Sequence, residues 1–252
     1  MSSSPTTQRP YPLDESVAVG LRSGRVWGLG EVGLAILGSL AAYVVAGLLT
    51  TAAGLSVEVG TALAYLALGG VMVLCCRPAV EAAGSWLAGI GWRLPRLGDI
   101  PTIALWSALV YAVRFVTGAV LVHLIPSLQD QELSNVDASS HSAATIVVLF
   151  VVTVAAAPAV EELFFRGLVL RAGMRRLGFW PAMIGSSLLF GFAHSYQLGT
   201  VTGGIYLGLV MFTFGFLQCL LVRRTGHIGQ SIGVHATTNA ITMIIALATG
   251  VI

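Results

Sequence analysis

The chain has 252 residues, of which 56% are hydrophobic and only 10% are charged. A soluble domain carries roughly 25% charged residues, so with a mean hydropathy of +0.87 this composition excludes a soluble globular enzyme. The net charge of +2 is too small to point to a nucleic-acid partner. What remains is an all-α, polytopic membrane protein whose solvent is lipid. Its 13 basic residues are all Arg. Cys75, Cys76 and Cys219 lie in apolar segments, with neither a disulfide framework nor a zinc-ligand spacing.

In chain order, residues 1–27 read as a cytoplasmic tail. Its Ser/Thr/Pro-rich beginning, Met1 to Leu13, lacks the apolar content to pack. It does not read as a signal peptide, because a full-length span follows it. About 20 apolar residues are needed to cross a bilayer, and seven stretches qualify. The expected spans are Gly28–Ala53, Val57–Cys76, Pro101–Ile125, Ala143–Leu170, Trp180–Gln197, Val201–Val222 and Ile228–Val251. Residues 28–142 form an N-terminal transmembrane region and residues 143–252 the region that carries the chemistry. The fourth span contains Pro158 and should be kinked or broken there. The connector Glu81 to Asp99, with Trp86, Trp92 and two arginines, reads as an interfacial segment.

Arginine placement sets an orientation. Arg9, Arg22 and Arg25 precede the first span, and Arg77, Arg93 and Arg96 follow the second. Arg171, Arg175 and Arg176 follow the fourth, and Arg223 and Arg224 the sixth. The opposite loops hold Glu58, Asp130, Glu132 and Asp137 and no Arg. The N-terminus is therefore expected in the cytoplasm of a cell membrane, with Ile252 outside. Arg114 is the exception, in the middle of the third span. It needs a partner, either by snorkelling or structural pairing or as a partner of the acidic pair described next.

Three clusters place ionisable or amide groups inside apolar spans. They are Glu161-Glu162-Leu163-Phe164-Phe165-Arg166, Phe190-Gly191-Phe192-Ala193-His194 and His235-Ala236-Thr237-Thr238-Asn239. A charged group at membrane depth costs about 2.5–3.5 kcal/mol on insertion scales, so the set requires a reason. Glu161 to Arg176 is about 22 Å of helix, and Trp180 to His194 is about 21 Å. A turn between those arms returns Glu161 and His194 to one depth on facing helices. Asn239 lies one turn beyond His235 on the same face. Glu, His, His and Asn can thus meet in the cytoplasmic half of the membrane.

Such a set suffices for peptide hydrolysis. A carboxylate in a low-dielectric site is a better general base. An imidazole beside it can share the water or protonate the leaving amine. A second His and an Asn amide can stabilise an oxyanion. Glu162 and Arg166, spaced i and i+4, suit a salt bridge. No Ser-His-Asp set is evident. His123, His141 and His227 sit near helix ends or in loops and read as incidental. Phe212, Phe214 and Phe216 read as core or lipid-facing packing.

The ordered triplet Glu161-Glu162-x-x-x-Arg166, Phe190-x-x-x-His194 and His235-x-x-x-Asn239 resembles the motifs of the CPBP family. This is the CAAX protease and bacteriocin-processing group, or Abi family, of glutamic intramembrane endopeptidases. Ala157-Pro158 and Phe165-Arg166-Gly167 fit the same pattern, and the likeness covers roughly residues 143–245. It implies a helical membrane fold around a cytosol-facing cavity and a peptide or membrane-protein substrate. It also implies Glu161 as base, His194 as its partner on the water, and His235 and Asn239 as the oxyanion site. Glu162, Arg166 and Phe190 would support them, with no cofactor and no metal. Two other classes stay open: a non-catalytic immunity or scaffold protein, and a zinc protease liganded by Glu161, His194 and His235. Absence of His-Glu-x-x-His weighs against zinc.

The arginine asymmetry is directly testable. Reporter fusions at Gly54, Asn135 and Ile252 should all report the outer side, and a cytoplasmic report at Asn135 would reverse the topology.

Overall fold

The computed structural model describes residues 28–128 and 143–249. The expectations for the tail at 1–27 and for the acidic loop with Asp130, Glu132 and Asp137 lie outside the described residues. Two long helices, α1 (Leu29–Ala52) and α2 (Val57–Cys75), open the described chain as a hairpin. Gly54 turns it at φ 69°, a left-handed conformation that favours glycine. The Ser56 hydroxyl then caps α2 by accepting from the Val59 amide at 3.5 Å. Inside the hairpin, the Tyr43 and Tyr65 rings meet edge to face at 5.6 Å. Leu34, Leu37, Leu48 and Leu49 are exposed, as lipid-facing positions should be.

Two short helices follow, α3 (Arg77–Ala83) and α4 (Trp86–Ile90). Each ends on a left-handed glycine, Gly84 and Gly91. Gly91 lies at φ 69°, where an L side chain is strained, and a Cβ there would also press on the Arg171 guanidinium. Next comes α5 (Ile100–Leu124). The connector does more than lie along an interface. The Gly91 carbonyl accepts from the Ile228 amide at 2.9 Å. Asp99 pairs with Arg93, accepts from the Arg96 amide at 2.8 Å and accepts from Gln230 Nε2 at 2.8 Å. These bonds tie the connector to the start of the last helix.

The fourth expected span does not break at Pro158. It runs as α6 (Ala143–Val151), a π-helical stretch (Val152–Ala156), α7 (Ala157–Glu162), a second π-helical stretch (Leu163–Val169) and α8 (Leu170–Leu177). The widened register absorbs the proline, and such stretches recur at functional sites. Gly178 turns the chain into α9 (Phe179–His194), which is followed by a 3-10 turn (Ser195–Leu198), α10 (Val201–Thr225) and α11 (Gly229–Thr249). Helices α9 and α10 approach closely: a Cβ on Gly191 would come 2.3 Å from the Gly208 carbonyl.

The described residues form helices and no strand, and six of these helices are long and apolar enough to cross a membrane. The sequence reading counted seven. The difference is α9, whose 16 residues make about 24 Å alone and about 32 Å with the Ser195–Leu198 turn that continues it, so the arginine-bearing loops can still alternate. Arg114 forms no ion pair among the described residues. Its guanidinium instead lies 6.0 Å from the Phe214 ring.

His227, between α10 and α11, is buried rather than incidental. Its Nδ1 accepts from the Gly229 amide at 3.2 Å, so the ring is held neutral. Burial, and then the nearby Arg93 charge, push its pKa down from 6.5 to about 4. The unfolded chain therefore takes up a proton first as pH falls. The contribution of His227 is complete above pH 6.5 and is lost progressively down to about pH 4. A thermal-unfolding series across that window should show a fall that His227→Asn lacks.

Candidate active site

The site grows from Glu162, the last residue of α7, which is fully buried. Its Oε1 pairs with Arg166 Nη1 at 2.9 Å, the i, i+4 bridge the spacing predicts. The same oxygen lies 2.9 Å from His235 Nδ1, and its Oε2 accepts from the Ser231 hydroxyl. Ser231 and His235 are one turn apart on α11, so a single helix face delivers both. Arg166, also fully buried, is caged by the Phe165, Phe190 and Phe214 rings at 5.8, 4.5 and 6.0 Å. Its Nε and Nη2 find no hydrogen-bond acceptor among the described residues. Ring faces stand in for oxygens there.

Glu161 faces the other way. Its side chain is 23% exposed, and its Oε2 lies 3.8 Å from both His194 Nε2 and His235 Nε2. Direct hydrogen bonds end near 3.2 Å, so these contacts are at the reach of one shared water. Both rings are aimed by their far nitrogens. His194 Nδ1 sits 2.8 Å from the Phe190 carbonyl, which only accepts, so that nitrogen carries the hydrogen. His235 Nδ1 donates to the Glu162 carboxylate in the same way. In the neutral state each Nε2 therefore turns a lone pair towards Glu161 Oε2, an atom that is buried without a hydrogen-bond donor among the described residues. Phe190 spaces the two rings, with centroids 4.4 Å from His194 and 6.0 Å from His235.

Glu161 and His194 line a cavity of about 500 Å³. Its walls come from α1, α2, the fourth helical run, α9 and the 3-10 turn after His194. Apart from Glu161 and His194 the wall is mostly apolar, with Tyr43, Tyr65 and Tyr196 among its polar groups. His235 and Asn239 do not line it. The Asn239 amide donates to the Thr153 carbonyl at 2.9 Å. In the π register that carbonyl would pair with residue 158, and Pro158 has no N–H to offer. Asn239 therefore satisfies a backbone group that the proline leaves without a partner.

The structure thus gathers Glu161, Glu162, Arg166, Phe190, His194 and His235. It places Asn239 one turn beyond, with its amide engaged. Sequence reasoning missed Ser231, whose only signal was its position four residues before His235. It also read Phe214 as simple packing, whereas that ring lies 4.7 Å from His235. Tyr65 and Tyr196 carried no signal. No group of three His, Cys, Asp or Glu side chains with metal-holding geometry occurs among the described residues.

Residues 143–241 match the family model described as type II CAAX prenyl endopeptidase Rce1-like. The match supports a likeness of these residues to the CAAX protease family whose motifs the sequence resembles. The region is also 37% identical over 82 residues to the uncharacterized protein YyaK of Bacillus subtilis (strain 168). That alignment covers 31% of this chain and 27% of the relative. No solved structure matches the chain. The family is one of membrane proteases, and all three motif clusters lie within the matched residues.

A buried pair tolerates the loss of one partner poorly. Arg166→Met should cost about 3–5 kcal/mol by stranding the Glu162 charge. Ser231→Ala should cost about 1–3 kcal/mol by leaving Glu162 Oε2 short of a donor. Thermal unfolding in detergent should rank wild type above Ser231→Ala and Ser231→Ala above Arg166→Met.

Proposed function

We propose that this protein is an intramembrane endopeptidase that hydrolyses a peptide bond through a glutamate-activated water. The observation that supports it is the convergence of the His194 and His235 Nε2 atoms on one Glu161 oxygen, each at 3.8 Å, on the wall of an apolar cavity. Glu161 takes a proton from water as the water oxygen attacks the scissile carbonyl carbon. His194, aimed by the Phe190 carbonyl, accepts a hydrogen bond from that water at Nε2, and the proton taken up by Glu161 passes through that nitrogen to the leaving amine as the C–N bond breaks. Glu162 acts through His235: it fixes the tautomer and orientation of that ring and does not touch the water.

The glutamate assignment favours Glu161 over its neighbour for an electrostatic reason. Glu162 is committed to Arg166, Ser231 and His235, and a carboxylate so fully engaged is a poor base. Glu161 has an oxygen without a donor and a face on the cavity. The substrate is a peptide or membrane protein presented from the bilayer. The positive loops favour a cell-membrane protein with its N-terminus and cavity mouth on the cytoplasmic side. Residues 143–252 would carry the chemistry, and the N-terminal hairpin would close the cavity.

The test is turnover of a membrane-embedded or apolar peptide by the purified chain. Glu161→Gln should lower kcat by about 10²–10⁴, the range for a lost general base, with unchanged thermal unfolding. Glu162→Gln should lower activity and stability together. A Glu161→Gln protein with wild-type turnover would end the reading.

A further inference from the structure

The turn between α8 and α9 sits beside positive charge that the described residues do not neutralise. Arg176 lies in the last turn of α8, and Arg223 and Arg224 lie in the last turn of α10. All three are exposed, and none has a carboxylate partner among the described residues. The acids on the arginine-rich side are engaged elsewhere. Asp99 holds Arg93, Glu81 lies 4.0 Å from Arg77, and Glu31 accepts from the Gly28 amide. Arg175 has Glu31 within electrostatic range and is not counted with the three.

Arg223 is held in place. Its guanidinium lies over the Phe179 ring at 4.3 Å and the Trp180 ring at 5.1 Å. Stacking on two rings fixes a cation without cancelling its charge. It leaves the N–H edge of the guanidinium free for paired acceptors such as phosphate oxygens. An apolar ridge starts at the same place. Trp180, Ile184, Leu188 and Phe192 are exposed and follow one another every fourth residue along α9, so they share one face. From Trp180 to Phe192 is about 18 Å of helix. The opposite face, with Met183, Ser187 and Phe190, is buried. Trp180 joins the two parts, as an indole at the headgroup level does.

We propose that Arg176, Arg223 and Arg224 bind the phosphate of an anionic phospholipid whose acyl chain lies along the Trp180–Phe192 ridge. The occupant is amphiphilic because the surface is: cations at one end, apolar contact along the rest. A free phosphate would use the cations and leave the ridge uncovered. A zwitterionic lipid would bring its own cation against the three arginines. The site is separate from the Glu161 cavity chemistry and does not depend on the hydrolase reading. It matters to the fold because the headgroup would join the ends of α8, α9 and α10, and α9 carries Phe190 and His194.

The test uses the full chain in phosphatidylcholine nanodiscs with a varied fraction of phosphatidylglycerol, bromine being carried on the acyl chains of one lipid at a time. Bromine quenches a neighbouring indole, and the Trp180 signal is the difference between wild type and Trp180→Phe. An arginine near an anionic headgroup is worth about fivefold in occupancy. Brominated phosphatidylglycerol should therefore half-quench Trp180 at a mole fraction at least about fivefold below that of brominated phosphatidylcholine. Arg223→Gln/Arg224→Gln and Arg176→Gln/Arg224→Gln should each bring the two lipids close to parity. The second pair keeps the Arg223 stack, so its effect reads charge and not local packing. Arg77→Gln, on the same side but away from the ridge, should leave the preference intact, and so should added inorganic phosphate. Equal quenching by the two lipids in wild type would overturn the site. An equal loss of preference in Arg77→Gln would overturn it in favour of diffuse surface charge, and displacement by inorganic phosphate alone in favour of a free-anion site.

Discussion

The buried ion pair between Glu162 and Arg166 constrains everything around it. Neither side chain has any exposed surface. At membrane depth each charge alone would cost several kcal/mol. The pair persists because its remaining valences are filled: Ser231 and His235 on one side, three aromatic rings on the other. Those partners come from four separate helical elements. Satisfying the pair therefore fixes how the fourth helical run, α9, α10 and α11 sit against each other. It also fixes the direction of the His235 ring. The second imidazole is set independently, by the Phe190 carbonyl, and Phe190 belongs to the arginine cage. Charge compensation and ring orientation are thus one network.

Pro158 imposes the second constraint. A proline in a spanning helix removes a donor and normally bends the chain. Here the helix widens on both sides of Ala157–Glu162. The carbonyl left over at Thr153 takes its hydrogen from Asn239. The motif residues Pro158 and Asn239 are therefore linked physically, eighty-odd positions apart in the chain. An asparagine that sequence logic assigns to the oxyanion also repairs the backbone.

Much of this was legible in the sequence, for a clear reason. Charged and amide groups are so costly in hydrocarbon that Glu161, Glu162, Arg166, His194, His235 and Asn239 stand out from an apolar background. Hairpin arithmetic then brings Glu161 and His194 to one depth, and the structure places them 3.8 Å apart. What was not legible follows equally from physics. A π register has no residue signature, so the run through Pro158 read as a kink or a break. Helix α9 falls short because the chain leaves the helix after His194, and nothing apolar in Tyr196 or Leu198 announces that. Ser231 and Phe214 are common membrane residues, and only packing shows which of them touches a charge. Arg114 was weighed as a partner for the acidic pair, but Arg166 already fills that place.

Two carboxylates adjacent in sequence end in opposite environments because successive helical residues point about 100° apart. On α7 that rotation turns Glu162 into the bundle and Glu161 to the cavity. In the proposed mechanism the roles separate on this basis. A carboxylate surrounded by a cation and two donors has both oxygens committed to fixed partners. Its neighbour has one oxygen without a donor and two imidazole nitrogens at the distance of a bridging molecule. The first can only orient. The second can exchange protons with whatever enters the cavity. A helix carrying one acidic residue at this depth could supply the structural charge or the reactive one; the Glu161-Glu162 doublet lets a single turn supply both.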